Sequence, residues 1–288
     1  MGLMTGSEGL LGVVTEVTVR ILRKPETARA LLIGFASNEA AGACVAGIIP
    51  AGLEMMDRLT IQAAEEFCRP GYPLDVEALL ICELDGPAAE VDHLIAKVHG
   101  LAEASGATTV RASSSDEERQ RFWLGRKAAF PATGRISPDY YCMDGTIPRG
   151  RLSEVLNRMG EMSAHYGLKV ANVFHAGDGN LHPLILYDAN RPGDLEKAEA
   201  FGADILKLCV EVGGVLTGEH GVGVEKRDLM PTMFTEGDLQ QQQRVKCAFD
   251  PDQILNPGKV FPKLHRCAEL GRVHVHKGAA RFPDLPRF

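Results

Sequence analysis

The chain has 288 residues and is 45% hydrophobic, so it can bury a sizeable core in one large domain or two small ones. Its net charge of −7 and its scattered lysines and arginines argue against nucleic acid as a partner. No apolar run reaches the roughly 18 residues of a membrane span, and the first residues lack the features of a secretory signal. We therefore predict a cytoplasmic protein, and peripheral association with the inner face of the membrane stays open.

Alternating and helical patterns divide the chain into strands and helices. The predicted strands are Val13 to Leu22, Ala30 to Phe35, Ala78 to Leu84, Thr108 to Arg111, Tyr140 to Ile147, Lys169 to His175 and Leu181 to Tyr187. The predicted helices are Asn38 to Ile48, Met55 to Phe67, Ala88 to Ala104, Asp116 to Phe130, Arg151 to Tyr166, Leu195 to Val212 and Thr235 to Phe249. The last two strands are joined by a Gly/Asp/Asn loop, which makes an antiparallel hairpin and favours an α+β fold over a doubly wound one.

The two ends of the chain read differently from its middle. At the start, a Gly-rich turn runs directly into the first predicted strand, with no earlier strand to pair with it, so residues 1–25 resemble the end of a larger domain. The tail beyond Lys263 has no periodicity and is predicted to be an irregular arm. We found no repeat of fixed period.

The densest candidate site is the segment from Phe174 to Pro183, FHAGDGNLHP. On one continuous strand His175 and His182 would point to opposite faces, but a turn at Gly177 to Asn180 folds the chain back. The two histidines then lie across from each other with Cβ atoms roughly 5 Å apart, close enough to share a divalent ion. Two histidines that simply pack at a hairpin are the alternative, and the crowding of two imidazoles favours the ion.

A second candidate is the glycine-rich segment GGVLTGEHGVG, which follows a predicted helix. Helix termination explains Gly213 and Gly214, but it does not require the adjacent Glu219 and His220. Neighbouring side chains in an extended segment diverge, so Glu219 could complete a His/His/Glu ion site while His220 faces a substrate as a base. A solvated Glu-His pair in a flexible loop is an equal alternative on this segment alone.

A third candidate is Arg126 in the run Trp123-Leu124-Gly125-Arg126. Its planar guanidinium suits two-point binding of a carboxylate. Composition alone favours a surface arginine.

The motifs GSEGLLGVVTEVTVR, WLGR, HAGDGNLHP, TGEHGVG and FDPDQILNPGKVF occur in this order and together resemble the FAD-linked oxidase family, which includes glycolate oxidase subunits, D-lactate dehydrogenases and D-2-hydroxyglutarate dehydrogenases. The resemblance covers essentially the whole chain. It implies a ferredoxin-like antiparallel sheet with helices over residues 26–262, the substrate and cap domain, after the end of a vanillyl-alcohol-oxidase-type flavin domain in residues 1–25.

The resemblance also implies a role for each candidate residue. It makes His175, His182 and Glu219 ligands of a divalent metal, zinc or manganese, His220 the proton-abstracting base and Arg126 the binder of the substrate carboxylate. The residues implied to approach FAD are Glu8, Gly9, Gly12, Val13, Val14 and Asn256. As aligned, relatives that act on hydroxyglutarate have a lysine about where Cys142 stands, which favours a small monocarboxylate such as glycolate or D-lactate.

The implied function is a flavin-dependent 2-hydroxy-acid dehydrogenase whose FAD accepts hydride and passes electrons to partner subunits that carry flavin or iron-sulfur groups. A homodimer stays open. Two other functions compete with this one. The chain could be an inert cap or assembly module without its flavin domain, or a metal-dependent hydrolase that needs no flavin.

Overall fold

A computed structural model describes residues 1–48 and 50–262. The chain separates into two compact parts, which we call the sheet unit (Leu22–Gly218) and the terminal unit (Met1–Ile21 with the chain from Glu219 onward). This division by compactness differs from the division predicted at residues 25 and 262. The predicted arm, 263–288, lies outside the described residues.

The sheet unit contains nine strands and six α-helices within the described residues. The strands are β1 (Thr27–Phe35), β2 (Gly52–Asp57), β3 (Ala78–Gly86), β4 (Ala107–Ala112), β5 (Asp139–Cys142), β6 (Gly145–Thr146), β7 (Val170–Phe174), β8 (Asn180–Leu181) and β9 (Pro183–Tyr187). The helices are α1 (Asn38–Gly47), α2 (Arg58–Cys68), α3 (Ala88–Ala104), α4 (Asp116–Thr133), α5 (Leu152–Tyr166) and α6 (Asp194–Glu211), with a 3-10 turn at Arg149–Arg151.

The first half of the sheet unit has the ferredoxin-like arrangement. Its elements follow the order β1-α1-β2-β3-α3-β4, with α2 inserted between β2 and β3, and its strands lie in the order β4-β1-β3-β2. Every pairing is antiparallel. The prediction of an α+β fold with a ferredoxin-like antiparallel sheet is confirmed.

The second half repeats most of this arrangement. The elements β5-α5-β7-β9-α6 correspond to β1-α1-β2-β3-α3, and the strand order β7-β9-β5 corresponds to β2-β3-β1. The halves join where β2 pairs antiparallel with β7, so that one seven-stranded sheet results. This internal repeat lies in topology rather than in residue identity, which explains why no fixed-period repeat is visible in the sequence.

Helices cover both faces of the sheet. Helices α1, α3, α5 and α6 pack on one face, against side chains such as Leu31, Met55 and Ile185. Helices α2 and α4 pack on the other face, against their neighbours Leu32, Met56 and Leu184. Because side chains alternate along a strand, both faces need apolar residues, and the central strands β1 and β3 are correspondingly apolar and buried over most of their length.

Local capping fixes where several helices begin. Ser37 accepts a hydrogen bond from the Ala40 amide at 3.2 Å at the start of α1. The carboxylate of Asp57 caps α2 and also accepts from the backbone and side-chain amides of Asn172 in β7, at 2.8 and 2.9 Å. Asp57 therefore both starts a helix and ties the two halves of the sheet together.

Helix α4 packs closely on Tyr72, in the segment that follows α2, because it carries Gly125. A Cβ at this position would lie 2.4 Å from the ring of Tyr72. That ring is buried and its hydroxyl donates to the carbonyl of Phe122, so it has no room to move away. The glycine of the WLGR motif is thus explained by packing, and it lets α4 hold Arg126 against the sheet.

In the terminal unit, a 3-10 turn (Arg227–Leu229) leads into α7 (Met230–Met233) and α8 (Glu236–Phe249). Thr235 and Asp238 form the predicted capping box at the start of α8. Within the described residues, no helix combines the length and apolar content that spanning a bilayer requires.

Three predicted elements were wrong. Val13 to Leu22 forms no strand, because strands are defined by a hydrogen-bonded neighbour and no described residue pairs with it; Val13 is 76% exposed. The helix predicted from Met55 begins at Arg58, since Met55 belongs to β2 and sheet pairing overrides its helical propensity. The strand predicted from Tyr140 to Ile147 is divided into β5 and β6 at Met143 and Asp144.

The packing of α4 predicts opposite effects for two glycine substitutions in helices. Gly125→Ala should lower the free energy of unfolding by about 1–3 kcal/mol, because the added methyl overlaps the ring of Tyr72. Gly160→Ala, in α5, should raise it by about 0.5–1 kcal/mol, because nothing lies within 4 Å of the added methyl and alanine favours the helix. Urea unfolding of both variants tests this. Equal effects would show that the contact with Tyr72 does not limit the approach of α4.

Candidate functional site

The histidine-rich hairpin loop is held by backbone hydrogen bonds on several sides. His175 N donates to Asn180 O at 3.1 Å, which closes the turn. Gly177 N donates to Leu53 O of β2 at 2.9 Å, and the carbonyl of Gly179 accepts from Ile147 N at 2.9 Å. Gly179 has φ +72°, and a Cβ there would lie 2.1 Å from the Ile147 carbonyl oxygen, so only glycine fits. The turn predicted at Gly177 to Asn180 is confirmed.

This turn brings the two histidines together. The ring centroids of His175 and His182 are 5.0 Å apart, with an interplanar angle of 83°. His182 is 4% exposed and His175 is partly exposed. His182 Nε2 lies 3.4 Å from Asn180 Nδ2 and 3.8 Å from Asp144 Oδ1. The predicted convergence of the rings is confirmed, and it creates a pair of imidazoles at one end of β7 and β9.

Glu54 of β2 links His175 to Arg126. Its Oε1 is 2.7 Å from His175 Nδ1, and its Oε2 accepts from Arg126 Nε at 2.9 Å. Because an ionised carboxylate only accepts, this hydrogen bond requires a proton on Nδ1 of His175, and in the neutral ring the lone pair is then on Nε2. A carboxylate that fixes the tautomer of a histidine in this way is typical of metal-ligating histidines.

Arg126 is buried rather than on the surface. It is 8% exposed, so the interpretation of a surface arginine that composition favoured is wrong. Its ion pair with Glu54 engages Nε, and the two terminal nitrogens form the edge that binds carboxylates at two points. Phe130, one turn further along α4, approaches His182 with ring centroids 6.2 Å apart, so α4 presents Arg126 and Phe130 to the same region.

Asp144 is a second buried carboxylate near the histidines. It is 0% exposed and lies between β5 and β6. Its Oδ2 accepts from Thr217 Oγ1 at 2.6 Å and from Gly218 N at 3.0 Å. Gly218 itself packs on Asn180, where a Cβ would lie 2.3 Å from the side-chain oxygen. The segment that ends at Gly218 is therefore anchored beside the hairpin.

Tyr140 and Cys142 occupy β5, the edge strand next to β9. Cys142 pairs with Leu184 of β9, so their side chains lie on the same face of the sheet. His182 precedes Leu184 by two residues and therefore lies on that face too. Tyr140 contacts Phe130 edge-to-face, with ring centroids 6.3 Å apart. This part of the site is aromatic and carries no charge at Cys142.

The remaining predicted site residues belong to the terminal unit. Glu219 and His220 directly follow Gly218 in the sequence and are exposed. The residues predicted to approach FAD are Glu8, Gly9, Gly12, Val13, Val14 and Asn256. Both Glu8 and Asn256 adopt positive φ values, 52° and 44°, and the Asn256 side-chain amide donates to the carbonyl of Glu8. Glu8 and Asn256 are thus brought together, and their functional roles stay predictions.

Sequence reasoning missed Glu54 and Asp144. A signal for Glu54 existed, because a carboxylate inside the apolar run Leu53 to Met56 must have a partner if the run is buried. The signal was missed because the predicted helix begins at Met55, so that Glu54 lies just outside every predicted element. Asp144 was missed because the strand predicted from Tyr140 to Ile147 runs through it, although an Asp-Gly pair is typical of a break between strands.

Comparison with known proteins shows which family the chain resembles. Residues 24–260 match the family described as FAD linked oxidases, C-terminal domain. The chain is 57% identical over 293 aligned residues to glycolate oxidase subunit GlcD of Escherichia coli (strain K12), which covers 100% of this chain and 59% of that protein. It is 35% identical over 266 residues to the subunit of the same name from Bacillus subtilis (strain 168), which covers 91% of this chain and 57% of that protein.

The chain thus spans 59% and 57% of the length of these two relatives. Among solved structures, 4-ethylphenol oxidase from Gulosibacter chungangensis in its isoeugenol complex resembles it with a TM-score of 0.61 at 16% identity, covering 83% of this chain and 55% of that chain. This likeness concerns the fold alone. The family match and the sequence identity go further: the chain belongs to the FAD linked oxidases, and residues 24–260 are their C-terminal domain.

Proposed function

We propose that this chain is the substrate- and metal-binding part of a flavin-dependent 2-hydroxy-acid dehydrogenase that oxidises glycolate or D-lactate to the 2-oxo acid. The observation that carries this proposal is the hydrogen-bonded series Arg126–Glu54–His175, in which one buried carboxylate joins a buried guanidinium to a partly exposed histidine. Membership of the FAD linked oxidases supports redox chemistry over the metal-dependent hydrolase.

His175, His182 and Glu219 are the proposed metal ligands. The donor set fits a divalent ion such as zinc or manganese, because two imidazoles and one carboxylate leave an open position for a substrate. A neutral ring with its proton on Nδ1 has a lone pair on Nε2 for a ligand bond, and the two rings are close enough to share one ion. The anchoring of Gly218 supports Glu219 as the third ligand, since Glu219 is the next residue in the chain.

Each residue then has a distinct task in the reaction. Arg126 binds the substrate carboxylate and fixes its orientation, while His220 accepts the proton of the α-hydroxyl. Bound there, a divalent ion would lower the pKa of a coordinated hydroxyl, and FAD would serve as the acceptor of the hydride. In the complete reaction the substrate loses a proton and a hydride, and the hydride carries both electrons of the oxidation.

Residues of the terminal unit are proposed to contribute to FAD binding. Glu8, Gly9 and Asn256 form a turn-rich cluster in which all three residues have positive φ values. Backbone of this kind approaches a cofactor more closely than ordinary extended chain does. Gly12, Val13 and Val14 extend the same surface along the chain.

The substrate is proposed to be a small monocarboxylate. Arg126 supplies one guanidinium, and Cys142 in β5 offers no positive charge for a second carboxylate. The name of the Escherichia coli relative, a glycolate oxidase subunit, supports both this substrate class and the existence of partner subunits.

Metal content separates the role of a ligand from the role of a base. His182→Ala should give a folded protein with little bound zinc or manganese, because one of three ligands is lost from an already formed scaffold. His220→Ala should retain the metal. Elemental analysis after metal loading and desalting measures the difference, with exposed His93→Ala in α3 as the control. Equal content in the His182 and His220 variants, or loss in the His220 variant alone, would contradict these assignments.

The geometry of Arg126 predicts that charge alone does not replace it. In the complete enzyme with its flavin domain, Arg126→Lys should lower kcat/KM by about tenfold or more, because lysine cannot make the planar two-point contact. Arg121→Lys, an exposed substitution on the same helix, is the matched control. Steady-state kinetics with glycolate decides the question, and equal kcat/KM values in both variants would remove Arg126 from the substrate site.

A further inference from the structure

Glu8 is bound by two backbone amides of the terminal unit. Its Oε1 accepts from Val222 N at 2.7 Å, and its Oε2 accepts from Gly223 N at 2.8 Å. These amides come two and three residues after His220 in the sequence. One carboxylate therefore holds the loop that carries Glu219 and His220.

The loop is shaped to receive this carboxylate. Gly221 and Gly223 have φ values of +89° and +54°, which direct successive amides toward one point and form an anion-binding concavity. A Cβ on Gly221 would lie 2.8–3.1 Å from the carboxylate atoms of Glu8. The carbonyl of Gly223 is held as well, because it accepts from Val260 N at 2.8 Å. The glycines of the GVG segment are thus explained by the fit of Glu8.

The turn that carries Glu8 is itself fixed. Asn256 donates to the carbonyl of Glu8. Lys246, which is buried and paired with Asp250, donates from Nζ to the carbonyl of Leu10 at 2.8 Å. A buried ammonium held by a carboxylate and a backbone carbonyl is costly to displace, so the turn is a firm support.

We propose that Glu8 is a positioning residue: its carboxylate fixes the 219–223 loop and thereby sets the orientation of Glu219 and His220. This inference rests on the proposed function, in which these two residues are a metal ligand and the base. It gives Glu8 a side-chain role in addition to the backbone role toward FAD. The turn proposed to approach the cofactor and the loop that carries the base then move as one body, because a charge-assisted pair of hydrogen bonds joins them.

Glu8→Ala and Glu8→Gln test the inference together, with Glu16→Gln as the control. Glu16 is an exposed carboxylate in the same N-terminal segment. The first readout is hydrogen exchange at the amides of Val222 and Gly223, which does not depend on any metal. Exchange should become about tenfold faster or more in Glu8→Ala and less so in Glu8→Gln, which keeps one acceptor oxygen.

The second readout is zinc affinity at an unchanged thermal unfolding midpoint. Affinity should fall about 10- to 100-fold in Glu8→Ala, the usual effect of removing a group that orients a ligand, and by an intermediate factor in Glu8→Gln. Unchanged exchange in both variants would refute the anchor. Faster exchange with unchanged zinc affinity would refute the positioning role. If the unsubstituted chain bound no zinc, the proposed function would fail, and the exchange rates would still decide whether Glu8 anchors the loop.

Discussion

The candidate site depends on the two hydrogen bonds that the carboxylate of Glu54 makes, one with Arg126 and one with His175. This carboxylate lies inside the protein at 8% exposure, where an unpaired charge would be costly, and it is neutralised on one side by Arg126 and bonded on the other by His175. Removing one partner of a buried ion pair typically lowers the free energy of unfolding by about 3–5 kcal/mol. A substitution at Glu54 or Arg126 therefore also affects the remaining members of the series. The same carboxylate thus fixes a histidine tautomer and the direction of a guanidinium. In the proposed function, the substrate carboxylate and the metal would each be bound by a partner of this one carboxylate.

The fold explains why these three side chains meet. Glu54 is on β2 and His175 follows β7, and β2 with β7 forms the junction between two ferredoxin-like halves. Side chains of both strands face α4 there, and the contact of Gly125 with Tyr72 brings α4 close enough for Arg126 to reach Glu54. In a single ferredoxin-like half, β2 would be an edge strand, paired with β3 on one side and open on the other. In this chain β7 fills the open side and brings His175 next to Glu54, so the candidate site lies at the junction of the two halves.

Much of this arrangement follows from the sequence, and the missing parts have a common cause. Local patterns predicted the α+β fold, the hairpin and the meeting of His175 with His182, because the turn and the alternation are encoded within a few residues. The sequence did not predict β2, because Gly52–Asp57 becomes a strand only through pairing with distant β3 and β7. Glu54 was missed with it, and the burial of Arg126 was missed since it depends on Glu54. The stretch from Val13 to Leu22 shows the converse: alternation alone does not make a strand without a partner.

The tautomer of His175 is the property that tests the central role of Glu54 most directly. Nitrogen NMR of the neutral imidazole ring in the metal-free protein reports which nitrogen carries the proton. With Glu54 in place, the proton should be on Nδ1, and zinc should then shift the resonance of Nε2. In Glu54→Gln the preference for Nδ1 should weaken, because the amide is a poorer acceptor than a carboxylate. A proton on Nε2 of the unsubstituted protein, or a tautomer unaffected by Glu54→Gln, would contradict the role assigned to this carboxylate.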